Sequence, residues 1–368
     1  MINENLSPIS CLGCRNTVDP TRDDRAWTCP SCGFLYPLFD GRIPVLLKEP
    51  RKNFAASWLE HRKHISDNND RLSEVKDALG RQPHRSDLLN RAVHAYEHDN
   101  PYLGNLQAKI AAALPESEIK ELEEEGKLPR QYTLGEGIAF YPRDWCWSDR
   151  AEGEIETITS TISGHIDAYA DDVDSVLIPG AGAGRFAGEL ARIYDNCFAF
   201  DYSLHMIQIF YDLLLSDMKL HRVNLRSNVV KTEDVVTEYS LSLGPLRSEI
   251  DSSGFAYFVG NALDVPLPGN SLSAVACIYF IDIIPVREQM LEARRLLKPG
   301  GLFINFGPLR YMRGDVANML SGEEILDLYA SSGFDILAHD VVPNTQLASA
   351  PVITSVHSNN FTFVARKR

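Results

Sequence analysis

From about residue 136 onward the chain alternates short apolar runs with segments of helical period. Runs at Ser175–Ile178, Cys197–Phe200, Phe255–Val259, Ala274–Phe280, Leu302–Phe306, Asp335–Val341 and Phe361–Ala365 predict strands, since each is short and largely apolar or β-branched. Between them, Phe186–Ile193 and Arg287–Leu297 space their apolar residues for one face of a helix. Repetition of strand, turn and helix predicts a doubly wound α/β domain of Rossmann-like type. The last two strands have no clear helix between them, which predicts an antiparallel edge.

Residues 51–130 are more polar and carry helix-spaced apolar positions such as Leu72, Val75, Leu79 and Leu88, Ala92, Ala95. Pro83, Pro101 and Pro115 punctuate this stretch and predict several short helices rather than one long one. The run EIKELEEEGK, residues 118–127, predicts a solvated acidic helix face ending at Gly126. The organisation expected is a small cysteine-containing unit over 1–50, a helical segment over 51–135 and the α/β domain over 136–368.

The stretch VLIPGAGAGRFAGELARIYDNCFAFDYS, residues 176–203, places Gly180, Gly182 and Gly184 between a strand and a helix. Glycines there let backbone approach a ligand closely. Asp201 follows Gly180 by 21 positions, the distance at which a carboxylate at the end of the next strand reaches ribose hydroxyls. A nicotinamide dinucleotide motif would have its third glycine where Arg185 stands, so the pattern fits S-adenosylmethionine better. Asn261, just after a strand, stands where a class I methyltransferase grips adenine, and LLKPGG, residues 296–301, resembles the helix-to-strand turn common in that class.

Four of the seven cysteines form two C-x-x-C knuckles, Cys11/Cys14 and Cys29/Cys32, fourteen residues apart. This is zinc-ribbon spacing, with two thiolates from each knuckle folded onto one tetrahedral metal. A pair of redox motifs is the alternative, but no thioredoxin-like pattern surrounds them. Four thiolates leave no open coordination position, so the unit is expected to be scaffold or docking surface. Followed by Tyr36-Pro37, Asp40-Gly41 and Ile43–Leu47, the knuckles resemble small zinc-ribbon proteins that activate methyltransferases; the resemblance implies a partner module fused to its client. Loss of the metal is expected to unfold the ribbon and leave cofactor binding largely intact.

The segments YPRDWCWSDRAEGE (141–154), VLIPGAGAGRFAGELA, YFIDIIPV (279–286) and LLKPGGLFINFGPLRY (296–311) resemble the carnosine N-methyltransferase family over roughly residues 136–368. The resemblance implies a class I methyltransferase fold and methyl transfer from S-adenosylmethionine to an imidazole nitrogen. It further implies that Arg143 holds the methionine end, Gly180 lines the cofactor, Asp201 binds ribose, Asn261 faces adenine and Asp282 meets the acceptor imidazole. Tyr311 is expected either to line the acceptor pocket or to be a core residue. Met312 replaces an expected substrate-contacting His, and Val356, His357 and Ser358 fall where tyrosines are expected, so the acceptor pocket departs from the family pattern.

An imidazole is mostly neutral at pH 7 and needs no strong base, only the correct tautomer. A carboxylate accepting one ring N–H turns the other nitrogen's lone pair outward and stabilises the cation that forms. Asp282 is expected in that role; the competing role is a helix cap before PVREQMLEARRLL. Trp145 and Trp147 are expected to pack around Arg143, and Cys146, Cys197 and Cys277 to be buried thiols.

The balance of 36 basic against 50 acidic residues, net −14, argues against a nucleic-acid partner. No apolar run reaches membrane-spanning length, and MINENLSPIS lacks a signal-peptide pattern, so a cytoplasmic location is expected. The expected partner is a small-molecule or peptide acceptor, with a protein partner for the ribbon a further expectation. Two other functions fit: a methyltransferase of a different N, O or S acceptor, and an inactive scaffold docking through the ribbon.

Overall fold

A computed structural model of the chain describes all residues except 1, 2, 4, 5, 133, 226–228, 253, 312, 313 and 348–355. The first elements are short strands: β1 (Ile9–Ser10) pairs with β2 (Thr17–Val18), and β3 (Thr21–Arg22), β4 (Ala26–Thr28), β5 (Leu35–Phe39) and β6 (Ile43–Pro44) form a four-stranded sheet. Two long helices follow, α1 (Pro50–Arg81) and α2 (Ser86–Ala113), then α3 (Glu116–Glu124).

The expectation of several short helices is corrected here. Pro83 and Pro115 do interrupt the chain, but Pro101 lies inside α2. Its ring sits on the exposed side of α2, while Leu88, Leu89, Ala92, Ala95, Asp99, Leu103, Leu106 and Ile110 form a buried stripe that continues past it. Packing along that stripe outweighs the roughly 3 kcal/mol that an interior proline costs. The acidic run is helical in α3, with Ile119 buried on its inner side, and Gly126 follows its end.

Short helices α4 (Leu134–Gly137) and α5 (Tyr141–Trp145) lead into α6 (Asp149–Tyr169). The main sheet then builds from β7 (Ser175–Pro179) and, after helix α7 (Arg185–Leu190), β8 (Asn196–Asp201). After α8 (Leu204–Leu215), β9 (Met218–Val223) and β10 (Val236–Leu241) pair as a separate hairpin. Helix α9 (Leu246–Ser252) and strands β11 (Gly254–Val259) and β12 (Leu272–Ile278) follow, then α10 (Val286–Leu296), β13 (Leu297–Gly307), α11 (Gly322–Ser331), β14 (Phe334–Gln346) and β15 (Val356–Lys367).

The seven-stranded sheet has the order β11-β8-β7-β12-β13-β15-β14. Its first five strands are parallel, and β15 runs antiparallel to both β13 and β14. The expected doubly wound sheet with an antiparallel edge is therefore present. The strand order reverses between β7 and β12, so their carboxyl ends diverge into a crevice where such sheets bind ligands. One continuous apolar core joins Phe39, Phe54, Trp58 and Leu103 to Tyr141, Ile178, Phe210 and Val364. Among the described residues no helix is long and apolar enough to cross a membrane.

Candidate functional site

Strand β7 delivers the glycine loop into the crevice. Gly182 has φ +59°, and a Cβ there would meet nothing within 4 Å, so that side of the loop is open. Its N–H donates to Asp201 Oδ2 at 2.9 Å, and its carbonyl accepts from the Tyr257 hydroxyl. Gly180, at φ +62°, has a different need: a Cβ would lie 2.1 Å from the Phe280 ring. Gly184 caps α7. The Phe280 contact seats the turn after β12 directly against the glycine loop.

Asp201 ends β8 with both carboxylate oxygens oriented, since Oδ1 accepts the Ser203 N–H at 2.8 Å. Burial pushes its pKa up from the ordinary value, and the backbone donors of Ser203 and Gly182 oppose that shift. The next loop lies alongside: Gly260 N–H donates to the Asp201 carbonyl at 3.0 Å. Asn261 then turns the chain, its Oδ1 accepting the Leu263 N–H at 2.9 Å. Gly182, Asp201 and Asn261 thus lie at or just after the carboxyl ends of three adjacent parallel strands, β7, β8 and β11.

Nearby, the Tyr141 hydroxyl and both ring nitrogens of His205 are buried with no hydrogen-bond partner among the described residues. Buried polar groups are normally satisfied, so these await a ligand or ordered water. An open glycine cradle, an oriented carboxylate and orphaned polar atoms fit a nucleoside cofactor.

Arg143, on α5, is buried and shares its charge between Asp144 at 2.6 Å and Glu154 at 3.6 Å. Its guanidinium lies over Phe186, 4.9 Å from the ring centre, and the Tyr279 ring packs 6.2 Å from the same Phe186. Glu154 also accepts the Leu347 N–H at 2.8 Å, and burial raises its pKa from the usual value. The RDW segment, the start of α7 and the turn after β12 therefore converge. Sequence reading missed Glu154, Tyr279 and Phe280, whose roles depend on long-range contacts.

The tryptophan expectation is corrected. Trp147 stacks on Arg185, not Arg143, at 3.9 Å, and Trp145 donates to the Ala183 carbonyl at 3.1 Å. Arg185, fully buried, donates to the Asp144 carbonyl and pairs with Glu152 and Glu189, each at 2.7 Å. The position that excludes a dinucleotide glycine is an internal tie between α5, α6 and α7. Cys197 and Cys277 are buried and Cys146 is half-buried.

Asp282 lies in the turn after β12 and is not a helix cap: the cap of α10 is Pro285. Its Oδ2 accepts the Arg310 N–H at 2.7 Å, a bond joining the turns after β12 and β13. Burial raises the Asp282 pKa, and that backbone donor opposes the rise. Tyr311 adjoins it at φ +41°, with its phenol pushed up to about 12 by burial. Met312 lies outside the described residues. On the terminal hairpin, His357 Nδ1 meets Thr345 Oγ1 at 2.9 Å.

The four knuckle cysteines converge. Cys11 and Cys32 sulfurs are 3.7 Å apart, Cys14 and Cys29 sulfurs 3.9 Å, and all four lie within 4.8 Å of one another. Sulfurs tetrahedrally placed around zinc are separated by about 3.8 Å, so the set fits that ion. The ribbon docks on the sheet's own edge. Val45 bridges Val259, Leu46 N–H donates to the Val259 carbonyl at 2.8 Å, and Asn3 Oδ1 accepts the Tyr257 N–H at 2.9 Å.

Residues 136–368 match the family model for carnosine N-methyltransferase. Curated relatives bearing that name include one from Drosophila melanogaster, 29% identical over 232 residues, covering 58% of this chain and 50% of the relative. Another, from Dictyostelium discoideum, is 28% identical over 204 residues, covering 52% and 40%; one from Rattus norvegicus is 27% identical over 217 residues, covering 53% of each. The chain spans about half the length of the curated relatives it matches. Solved structures similar to part of the chain include magnesium protoporphyrin IX methyltransferase from Synechocystis, at 11% identity and a TM-score of 0.40, covering 65% of this chain and 86% of that one. With the family model matched over residues 136–368, more than half of the chain, the chain belongs to the carnosine N-methyltransferase family.

Proposed function

We propose that the protein transfers a methyl group from S-adenosylmethionine to an imidazole ring nitrogen of a histidine-derived small molecule or peptide. Family membership supports the reaction class. The observation that carries the acceptor chemistry is the place of Asp282, two residues past Phe280, whose ring fills the space beside Gly180. The carboxylate accepts the Arg310 N–H, and its closeness in sequence to Phe280 supports a position beside the cofactor cradle.

Gly180, Gly182, Gly184, Asp201 and Asn261 would hold the nucleoside, and Arg143 the methionine end. When bound, the cofactor supplies an electrophilic methyl on a sulfonium. Asp282 accepts one imidazole N–H, fixes the tautomer whose other nitrogen bears the lone pair, and stabilises the positive charge that develops. Tyr311 borders the acceptor. Packing of α5 on the glycine loop and the start of α7, with Trp145 donating to the Ala183 carbonyl and Arg143 over Phe186, would help position the groups. Zinc on Cys11, Cys14, Cys29 and Cys32 would be structural, since all four positions are taken by protein.

Supplied with S-adenosylmethionine and a panel of histidine, its derivatives and histidyl peptides, the enzyme should give a product one methyl heavier, with the methyl on the ring by fragmentation. Asp282→Asn should lower kcat at least tenfold while changing cofactor affinity little. Methylation confined to amines, hydroxyls or carboxylates would overturn the imidazole reading and leave the family assignment standing.

A further inference from the structure

Helix α2 carries His94 and His98 one turn apart, followed by Asp99, and the β9–β10 hairpin lies against this face. His221, on β9, enters the same space. Both His98 Nδ1 and His221 Nδ1 lie 2.9 Å from a single oxygen, Asp99 Oδ1. The other carboxylate oxygen is held by the His221 backbone N–H at 2.9 Å, which fixes the plane of the group. One ligand atom from each of His98, Asp99 and His221 falls within 4.8 Å of the others.

We propose that His98, Asp99 and His221 form a second metal site, for zinc or a similar divalent transition ion, separate from both the cysteine cluster and the cofactor crevice. Two imidazoles and a carboxylate are the nitrogen and oxygen donors such ions take. Donors around tetrahedral zinc at these bond lengths sit about 3.3 Å apart, so moving the two nitrogens outward by a few tenths of an ångström opens room for the ion. His94, whose ring centre lies 6.0 Å from that of His221 and 6.3 Å from that of His98, is the nearest further nitrogen donor for a fourth position. Glu238, paired with His221 in the hairpin register, brings its Oε2 within 3.6 Å of His221 Nε2 and gives the second ring nitrogen a carboxylate partner. Such a partner orients a metal-bound imidazole and increases its basicity. His98 is 42% exposed on its side chain, so the ion has an entry path.

The site joins residues more than one hundred positions apart, a long helix to a small hairpin that is not part of the main sheet. A metal clip there would stabilise a two-stranded element that is weak alone. The competing arrangement is two imidazoles hydrogen-bonded through Nδ1 to the carboxylate, with no ion.

The full chain, saturated with zinc and freed of excess by gel filtration, should hold one zinc more per chain than His98→Ala treated identically. His98 is accessible, so that variant is expected to fold, and His94→Ala should weaken retention less. With cobalt in place of zinc, the near-ultraviolet thiolate band from the cysteine cluster should be unchanged in His98→Ala, while the visible absorption loses one component. Equal metal content in wild type and His98→Ala would overturn the proposal, whatever the occupancy of the cysteine site.

Discussion

The guanidinium of Arg15, one residue past Cys14, grips the carboxylate of Asp264 at two points, Nη1 to Oδ1 at 2.5 Å and Nη2 to Oδ2 at 3.1 Å. Lys48 adds a third contact to the same group at 2.9 Å. Asp264 donates its own N–H to the carbonyl of Asn261 at 3.0 Å, so the ribbon is tied to the loop proposed to face adenine.

Metal removal is therefore expected to reach the cofactor, contrary to the expectation drawn from the knuckle spacing alone. Stripping the ribbon with a chelator should weaken S-adenosylmethionine binding, and Asp264→Ala should weaken it about two- to tenfold, because exposed ion pairs are each worth ~0.2–1 kcal/mol. Titration calorimetry on protein shown to be zinc-free decides the point; unchanged affinity would detach the ribbon from the loop.

The glycine loop offers a paired test. Gly182→Ala puts a methyl into open space at a left-handed φ, so it should cost about 1–2 kcal/mol of stability while blocking the cofactor cradle. Gly180→Ala drives a methyl into the Phe280 ring and should lower the melting temperature further. If both variants melt alike and bind S-adenosylmethionine normally, the open side of Gly182 is not the cradle.

Asp201 links cofactor binding to pH. Burial raises its folded pKa above the unfolded one, so the native state takes up a proton first. The group's contribution to stability is present below the ordinary carboxylate value and is lost as pH rises through the raised value. Ribose hydroxyls are better served by the ionised form, so affinity runs the other way and falls as pH drops through the same window. Melting curves and calorimetry across the acidic range should show opposite slopes, and Asp201→Asn should flatten both. A wild-type affinity independent of pH there would remove Asp201 from the ribose.

Arg143 compensates two buried carboxylates, Asp144 and Glu154. Arg143→Met should destabilise the protein by about 3–5 kcal/mol, read by chemical denaturation, since it strands buried charge. Adding Glu154→Gln should recover part of the loss. A double variant no more stable than Arg143→Met would show that Glu154 is not the stranded partner.

Much of this architecture is readable from residue pattern because the strands flanking the crevice are buried on both faces and so appear as continuous apolar runs. The β9–β10 hairpin escapes such reading: MKLHRV and VTEYSL mix charge with apolar residues and carry no strong turn signal. The length of α2 escapes as well, since the stripe that overrides Pro101 is stabilised by a neighbouring helix. In the site, Gly182, Asp201 and Asn261 follow from strand ends, which are local. The contact of Phe280 with Gly180, the stacking of Trp147 on Arg185 and the bond from Arg310 to Asp282 join distant segments, and no spacing rule reports them.

Asn3 accepts its hydrogen bond from Tyr257, 254 positions away. During synthesis that bond cannot form until β11 has left the ribosome, so the ribbon, made well before it, waits for its seat. Until then the docking face of the ribbon has no edge strand to cover and must persist on whatever order its own four thiols impose. Chains released before β11 is complete would carry a ribbon without its seat, exposing apolar surface that the finished protein conceals.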